Sequence, residues 1–253
     1  MRNSNVAETA HPTAFPPQAG KERVAVVIPT LMEAKSIAAV IAALPRDIVD
    51  RVIVADGASP DGTADVARRV GAEVLTVDQG YGRACLAGAQ AAEDSAIIVF
   101  MDGDGADDPS ALAQMVDALV SGRFDFIIGS RTLGEREQRS MASHQVVAGR
   151  VAGVLIWLLY GIRYTDMCAY RAIRRKTLLG LGMRELTYGW NLEMQMRVAR
   201  AGLRVLELPV AYHCRTGGRS KVAGSLRGTL RAGIHIITTF TRIAMEPMLE
   251  RTR

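Results

Sequence analysis

The sequence predicts an α/β fold: an open, mostly parallel β-sheet with helices on both faces and an amphipathic helix near the C-terminus. Two observations carry this. From Val24 to Arg131, short apolar runs rich in Val and Ile alternate with segments of helical period, joined by brief links. In addition, Asp56, Asp102 with Asp104, and Ser130 with Arg131 each stand at the C-terminal end of one of those runs. Ligands of parallel sheets bind outside the carboxyl ends of the strands, so these residues are expected to converge on one crevice.

The elements follow in order. "RVAVVIPT" (23–30) is a continuous β-branched run of the kind a buried strand shows. A helical period over 33–44 ends at Pro45, which cannot continue a helix. Strands are expected at 50–56 and 72–78, separated by a turn and helix starting from "SPDGTADVARRVG". "GYGRACLAGAQAAE" (80–93) is a glycine-rich turn entering a helix. Then come a strand at 95–102, a helix at 108–122 and a strand at 124–131. The second half is less regular: a helix near 144–160, a loop at 164–175, a helix near 190–201, a strand pair within 203–215, and a basic amphipathic stretch over 224–245.

Composition narrows the function. At 253 residues with 49% hydrophobic content, the chain can bury a sizeable core. Aromatics are only 5%, and the basic charge is localised, which argues against a nucleic-acid partner. Between Glu207 and Glu246 there is no acidic residue, yet Arg215, Arg219, Lys221, Arg227, Arg231 and Arg242 lie there. Such a field suits phosphates or an anionic membrane surface. Cys85, Cys168 and Cys214 form no metal-binding or disulfide pattern, and a reducing cytoplasm fits them. Residues 1–22 are polar and proline-bearing and are expected to be a disordered tail. No apolar run reaches the ~18 residues of a membrane span, so the chain is expected to be cytoplasmic, with any membrane attachment either peripheral, on the inner face of the cytoplasmic membrane, or through a partner. "VAGVLIWLLYGI" (151–162) reads equally as a core or an interfacial helix.

The chemistry-bearing stretches are individually modest. "VFMDGDGADDP" places four aspartates in seven residues behind a strand. Asp102 and Asp104, separated by glycine, can hold one Mg²⁺ or Mn²⁺ whose shell substrate phosphates complete; the alternative is a solvated turn. Asp107 and Asp108, before Pro109, read better as a helix start. Gly80-Tyr81-Gly82 at a helix N-terminus could admit a phosphate to backbone N–H groups, although the Gly-x-Gly signal is short. Gly129-Ser130-Arg131 and "CRTGGRSKVAG" read either as phosphate clamps or as basic surface loops.

Taken in this order and spacing, the stretches resemble the family-2 glycosyltransferases of GT-A fold, a Rossmann-like sheet. The resemblance is to the dolichyl- or polyprenyl-phosphate mannosyltransferase-like branch and runs from about Val24 to Gly233. It implies that Pro29 and Glu33 border the nucleotide, that Asp56 sits beside the base or ribose, and that Asp102 and Asp104 bind the metal and the donor diphosphate. It further implies that Arg131 and Arg171 lie near an acceptor phosphate, that Asp166 is a catalytic acid-loop residue, and that Arg215, Ser220 and Lys221 contact phosphates. Gly82 joins the donor site on the glycine-turn argument above. The implied activity is metal-dependent, inverting transfer of a hexose from a UDP- or GDP-linked sugar to a polyprenyl-phosphate-type lipid. The domains expected are the tail, a GT-A domain over 23–222 and the amphipathic segment over 223–253. Two alternatives stay open: a soluble hydroxyl acceptor with Asp166 as general base, and a non-catalytic sugar-nucleotide-binding subunit. Oligomeric state is left open.

There are departures from the family pattern. Met32 stands where the P-x-x-N-E motif has Asn, Gly57 where a second acid is common, Ala106 where Gln or Ser is frequent, and "DMCAYR" replaces a glycine-containing loop.

Overall fold

The computed structural model describes residues 22–216 and 237–246. One seven-stranded sheet forms the body. Its strands are β1 (Val24–Thr30), β2 (Arg51–Asp56), β3 (Glu73–Thr76), β4 (Ile97–Phe100), β5 (Phe126–Ser130), β6 (Arg171–Arg174) and β7 (Val205–Pro209). They run in the order β3-β2-β1-β4-β6-β5-β7. The β1/β2, β1/β4, β2/β3 and β5/β7 pairs are parallel, and β6 runs antiparallel to both neighbours.

The helices are α1 (Ile37–Ala42), α2 (Thr63–Arg69), α3 (Tyr81–Ala91), α4 (Leu112–Val120), α5 (Ser143–Tyr160), α6 (Arg175–Gly180) and α7 (Trp190–Arg200). Residues 237–245 are also helical and are called α8. β1 and β4 are buried at every position, as their unbroken apolar sequences require of strands covered on both faces. α3 packs closely on β1, because Gly88 lets the helix backbone reach Val27: a Cβ at Gly88 would lie 2.4 Å from Val27 Cγ1.

The strand–helix alternation of the first half is as the sequence predicts. The second half differs in three ways. The expected loop at 164–175 contains β6, inserted between β4 and β5; it is short and bracketed by Arg171 and Arg174, so its apolar signal is only Ala172 and Ile173. α6 was not expected at all. The expected strand pair at 203–215 is one strand, after which Tyr212 makes isolated bridges to Asp107 and Arg136. At the N-terminal boundary, Glu22 is already tied to the body by Arg174. The rest of the expected tail, and most of the 223–253 segment, lie outside the described residues.

Chain order reverses beside β1: β2 lies on one side and β4 on the other. The ends of β1 and β4 therefore bound the crevice of a doubly wound sheet. α5 is pressed onto the loop that enters β6 at this same end of the sheet, beside the C-terminal ends of β4 and β5. A Cβ on Gly153 would stand 1.9 Å from Tyr164 O, so only glycine allows that approach. We expect Gly153→Ala to lower stability by roughly 1–3 kcal/mol, the range for forcing an extra carbon into a packed contact. Gly180→Ala, where a Cβ meets nothing within 4 Å, should be neutral or slightly stabilising. Denaturant unfolding of the two variants side by side checks both.

Candidate active site

Two glycines shape the loop after β4. A Cβ on Gly103 would lie 2.8 Å from Thr30 Cγ2, and Gly105 has φ +77° with Thr216 Oγ1 where its Cβ would go. The Ser36 hydroxyl donates to Gly103 O at 2.7 Å, tying the loop to the start of α1. The loop is thus folded tightly enough to bring three carboxylates together.

Asp102 accepts from the Tyr81 hydroxyl at 3.2 Å, and its own N–H donates to Asp107 Oδ2 at 3.0 Å. Asp104 Oδ1 accepts from the Ala106 N–H, and Asp104 Oδ2 pairs with Arg215 Nε at 3.0 Å. Burial first, then the Asp104 charge, pushes the Asp102 carboxyl up to about 6. Burial, with Asp102 beside it, pushes Asp107 up to about 8. The positive charges of Arg215 and Arg131 oppose the rise at Asp102.

Asp107 therefore departs from the expected helix start. It is buried within the acid cluster, and only Asp108 caps the following turn, accepting from Ser110 N–H with Pro109 in the first position.

The segment after β7 is laid along this loop. His213 N–H donates to Ala106 O, and Thr216 donates through both its N–H and its hydroxyl to Asp104 O. Arg215 is delivered to Asp104 by this zipper.

A second cluster stands at the end of β5. Arg131 and Asp166 form a two-pronged ion pair, Nε to Oδ2 at 2.7 Å and Nη2 to Oδ1 at 2.8 Å. Asp166 also accepts from the backbone N–H groups of Arg131 and Met167. These donors hold its carboxyl below the ordinary aspartate range despite its burial. The other side of the Arg131 guanidinium lies over the Tyr212 ring, 5.0 Å from its centroid. Arg131 is thus fixed between an acid and an aromatic face, near enough to Asp102 and Asp107 to offset their burial.

A family model, glycosyl transferase family 2, matches residues 25–181. An uncharacterized glycosyltransferase of Mycobacterium tuberculosis is 40% identical over 217 residues, covering 83% of this chain and 94% of that protein. The chain belongs to glycosyl transferase family 2. The undecaprenyl-phosphate mannosyltransferase of Micrococcus luteus is 32% identical over 221 residues, covering 81% of this chain and 90% of its own. This places the chain in the polyprenyl-phosphate mannosyltransferase-like branch. Glucosyl-3-phosphoglycerate synthase of Mycobacterium tuberculosis, solved in complex with Mn²⁺, UDP-glucose and phosphoglyceric acid, superposes with a TM-score of 0.70. At 20% identity it covers 89% of this chain and 81% of that one, and its likeness bears on the GT-A fold alone.

The remaining expected site residues of this glycosyltransferase fall into three groups. Pro29, Glu33 and Asp56 stand at the ends of β1 and β2 beside the crevice and are buried. Asp56 accepts from the hydroxyls of Thr30 and Ser59 and from Ser59 N–H, so it braces the turn after β2. Met32 adopts φ +59°, a region where Asn is far better tolerated than an unbranched apolar residue, which gives a physical reason for the family's Asn.

Gly82 and Arg171 are placed differently from expectation. Gly82 N–H donates to Thr187 O and Arg83 N–H to Leu186 O. A Cβ on Gly82 would lie 2.2 Å from Glu185 O. The glycine turn thus serves close packing of α3 on the 185–187 segment, and its donors are already used. Arg171 is fully buried and donates to the carbonyls of Cys168, Ala169 and Asn191. No phosphate can reach it there. It is a fixed charge within electrostatic reach of the Tyr81 phenol, behind Asp102. Ser220 and Lys221 lie outside the described residues.

Several residues of the site were not singled out from sequence. Tyr81 bonds Asp102, and Tyr212 covers Arg131. Glu207 on β7 accepts from Thr165 N–H, which sets the loop carrying Asp166, and Gln195 on α7 donates to Asp166 O. Glu207 and Gln195 sit within apolar or helical runs, where a polar residue carries no signal of its partner. Glu193 is fully buried on α7 and accepts from Arg184 and Glu185 N–H and from Arg197 and Arg242; a glutamate amid "WNLEMQM" could have marked it.

Breaking the Arg131–Asp166 pair leaves a buried charge alone. Arg131→Met is expected to cost roughly 3–5 kcal/mol of stability at pH 7. Because Asp166 has a folded pKa below its unfolded one, the pair's contribution is present above the ordinary aspartate range near ~3.9 and fades as pH falls through the folded value. Unfolding free energies from pH 7 to pH 3 should fall less steeply for Asp166→Asn than for the unsubstituted chain.

Proposed function

We propose that this glycosyltransferase moves a hexose from a UDP- or GDP-linked sugar to a polyprenyl- or dolichyl-phosphate-type lipid, with inversion at the anomeric carbon. The observation that carries this reading is the state of Asp166. The other acceptor class, a neutral hydroxyl, needs a general base, and Asp166 was its candidate. With both oxygens engaged by Arg131 and two N–H donors, and its proton affinity lowered, Asp166 is a poor proton acceptor. What it presents instead is a rigid arginine beside the acid cluster. An arginine suits an acceptor that arrives as an anion and is already a nucleophile. The likeness to an undecaprenyl-phosphate mannosyltransferase supports the same class.

In this reading an acceptor phosphate oxygen attacks the anomeric carbon while the bond from that carbon to the donor's β-phosphate oxygen breaks. The products are a glycosyl phosphate lipid and a nucleoside diphosphate. Arg131, oriented by Asp166 and Tyr212, positions the acceptor phosphate. Pro29, Glu33 and Asp56 shape the edge over which the nucleotide lies. Arg215, with Ser220 and Lys221 beyond it, closes over the diphosphate and exchanges Asp104 for phosphate oxygens.

The residues fit a divalent cation. Asp102 and Asp104 bring two carboxylates into a buried, mutually repelling cluster, the donor set that Mg²⁺ or Mn²⁺ favours. Two carboxylates leave most of such a cation's shell open, and the donor's phosphates would supply the remaining oxygens. Bound there, the cation would neutralise charge developing on the leaving diphosphate.

The test is a thermal-shift screen of UDP- and GDP-sugars with and without Mn²⁺, followed by transfer assays on the matching donor. One base should raise the melting temperature, and only with metal. Asp104→Asn should abolish that shift and cut transfer by about a hundredfold or more. Full transfer after chelation would remove the metal role. Preferred transfer to a water-soluble alcohol over a prenyl phosphate would overturn the acceptor assignment.

A further inference from the structure

Half of the large apolar side chains standing exposed among the described residues lie on α5. Val147, Val151, Val154 and Leu158, at spacings of four, three and four, form one stripe along its outer side, flanked by Leu155 and Trp157. Val151 is 53% exposed, Leu158 65% and Trp157 50%. The inner side, with Gly149, Ala152, Gly153 and Ile156, is buried. A helix apolar on nearly every side is ordinarily covered on every side; here none of the described residues covers the outer half. At about 27 Å in length it lies flat on the domain, and no described helix is long and apolar enough to cross a membrane.

The charges around the stripe select its occupant. No acidic residue occurs from Gln138 to Thr165, while Arg139, Arg150 and Arg163 are exposed there. A two-fold pairing of α5 with a second copy would be isologous and set this arginine rim against itself. An anionic leaflet complements both parts: acyl chains meet the apolar stripe and headgroups meet the arginines.

We infer that the outer face of α5 is the surface by which this enzyme lies on an anionic lipid bilayer. The sequence offered two candidates for such contact, the amphipathic stretch near the C-terminus and 151–162 itself; the exposed stripe shows that α5 is both, with a core face inward and an uncovered apolar face outward. It also stands beside the chemistry. The position of a Gly149 Cβ is 3.7 Å from Asp166 Oδ1, so a bilayer against the far side of α5 lies about one helix diameter, ~10 Å, from the Arg131–Asp166 pair. A phosphate at the lipid–water boundary is then within reach of Arg131. The inference deepens the lipid-acceptor reading and rests on it for its purpose, but its test does not need that reading to hold.

Trp157 is one of two tryptophans, and the other, Trp190, is fully buried. The difference in emission between the intact chain and Trp157→Phe therefore reports on α5 alone. In buffer this difference spectrum should be red and easily quenched by acrylamide. Vesicles of phosphatidylcholine with phosphatidylglycerol, free of any prenyl phosphate, should shift it to the blue and protect it, and phosphatidylcholine alone should do so more weakly. Val151→Glu with Leu158→Glu should weaken co-sedimentation with the anionic vesicles about tenfold or more while leaving the melting temperature and the donor-induced shift unchanged.

The inference is overturned by a Trp157 signal already blue and protected without lipid, which would mean the chain or a second copy covers the face. It is equally overturned by vesicle binding that the double variant retains, or by no vesicle binding at all. If the intact chain binds vesicles through α5 yet transfers no sugar to a prenyl phosphate supplied in detergent, the acceptor assignment fails and the docking surface stands.

Discussion

The constraint on which the rest of this site depends is the crowding of Asp102, Asp104 and Asp107 at the end of β4. Three carboxylates in a poorly solvated loop repel one another, and burial alone disfavours their charged forms. The surroundings answer this with Arg215 on Asp104, the Tyr81 hydroxyl on Asp102, the Asp102 N–H on Asp107, and the Arg131 charge nearby. Two of the four residues from Asp102 to Gly105 are glycine because the loop must pass within contact distance of Thr30 and Thr216. The repulsion that remains is the physical basis of the proposed cation site.

Arg131 links this cluster to the other half of the molecule. It stands at the tip of β5, but its orientation comes from elsewhere: Asp166 from the loop before β6, Tyr212 from the segment after β7, and behind them Glu207 and Gln195. The antiparallel β6 brings these parts together by seating the 164–170 loop between the ends of β4 and β5. A group held by an acid, a ring and a backbone at once would lose little entropy on binding the proposed acceptor phosphate, which is how preorganisation favours binding.

α5 completes the arrangement by covering the Asp166 loop with its glycine face and presenting an apolar face outward. Its two sides have opposite requirements. The inner side needs small residues so that the backbone can reach Tyr164, and the outer side carries bulk that nothing among the described residues covers. The contact with the Asp166 loop and the exposed apolar surface are thus two faces of one helix.

The sequence by itself determined the first half of the sheet, because buried parallel strands must be unbroken apolar runs and the helices between them must keep their period. It also determined that Asp56, Asp102, Asp104 and Arg131 lie at strand ends, since that follows from where each run stops. It could not show what each polar group is bonded to. Only the tertiary structure placed Asp107 in the acid cluster, turned the Gly80–Gly82 stretch into a packing contact, enclosed Arg171 among carbonyls, and paired Asp166 with Arg131. Periodicity records which face of an element is apolar. It holds no record of partners brought from far along the chain, such as Asp166 for Arg131, 35 residues on, Glu207 for Thr165, 42 residues on, or Thr216 for the Asp104 carbonyl, 112 residues on.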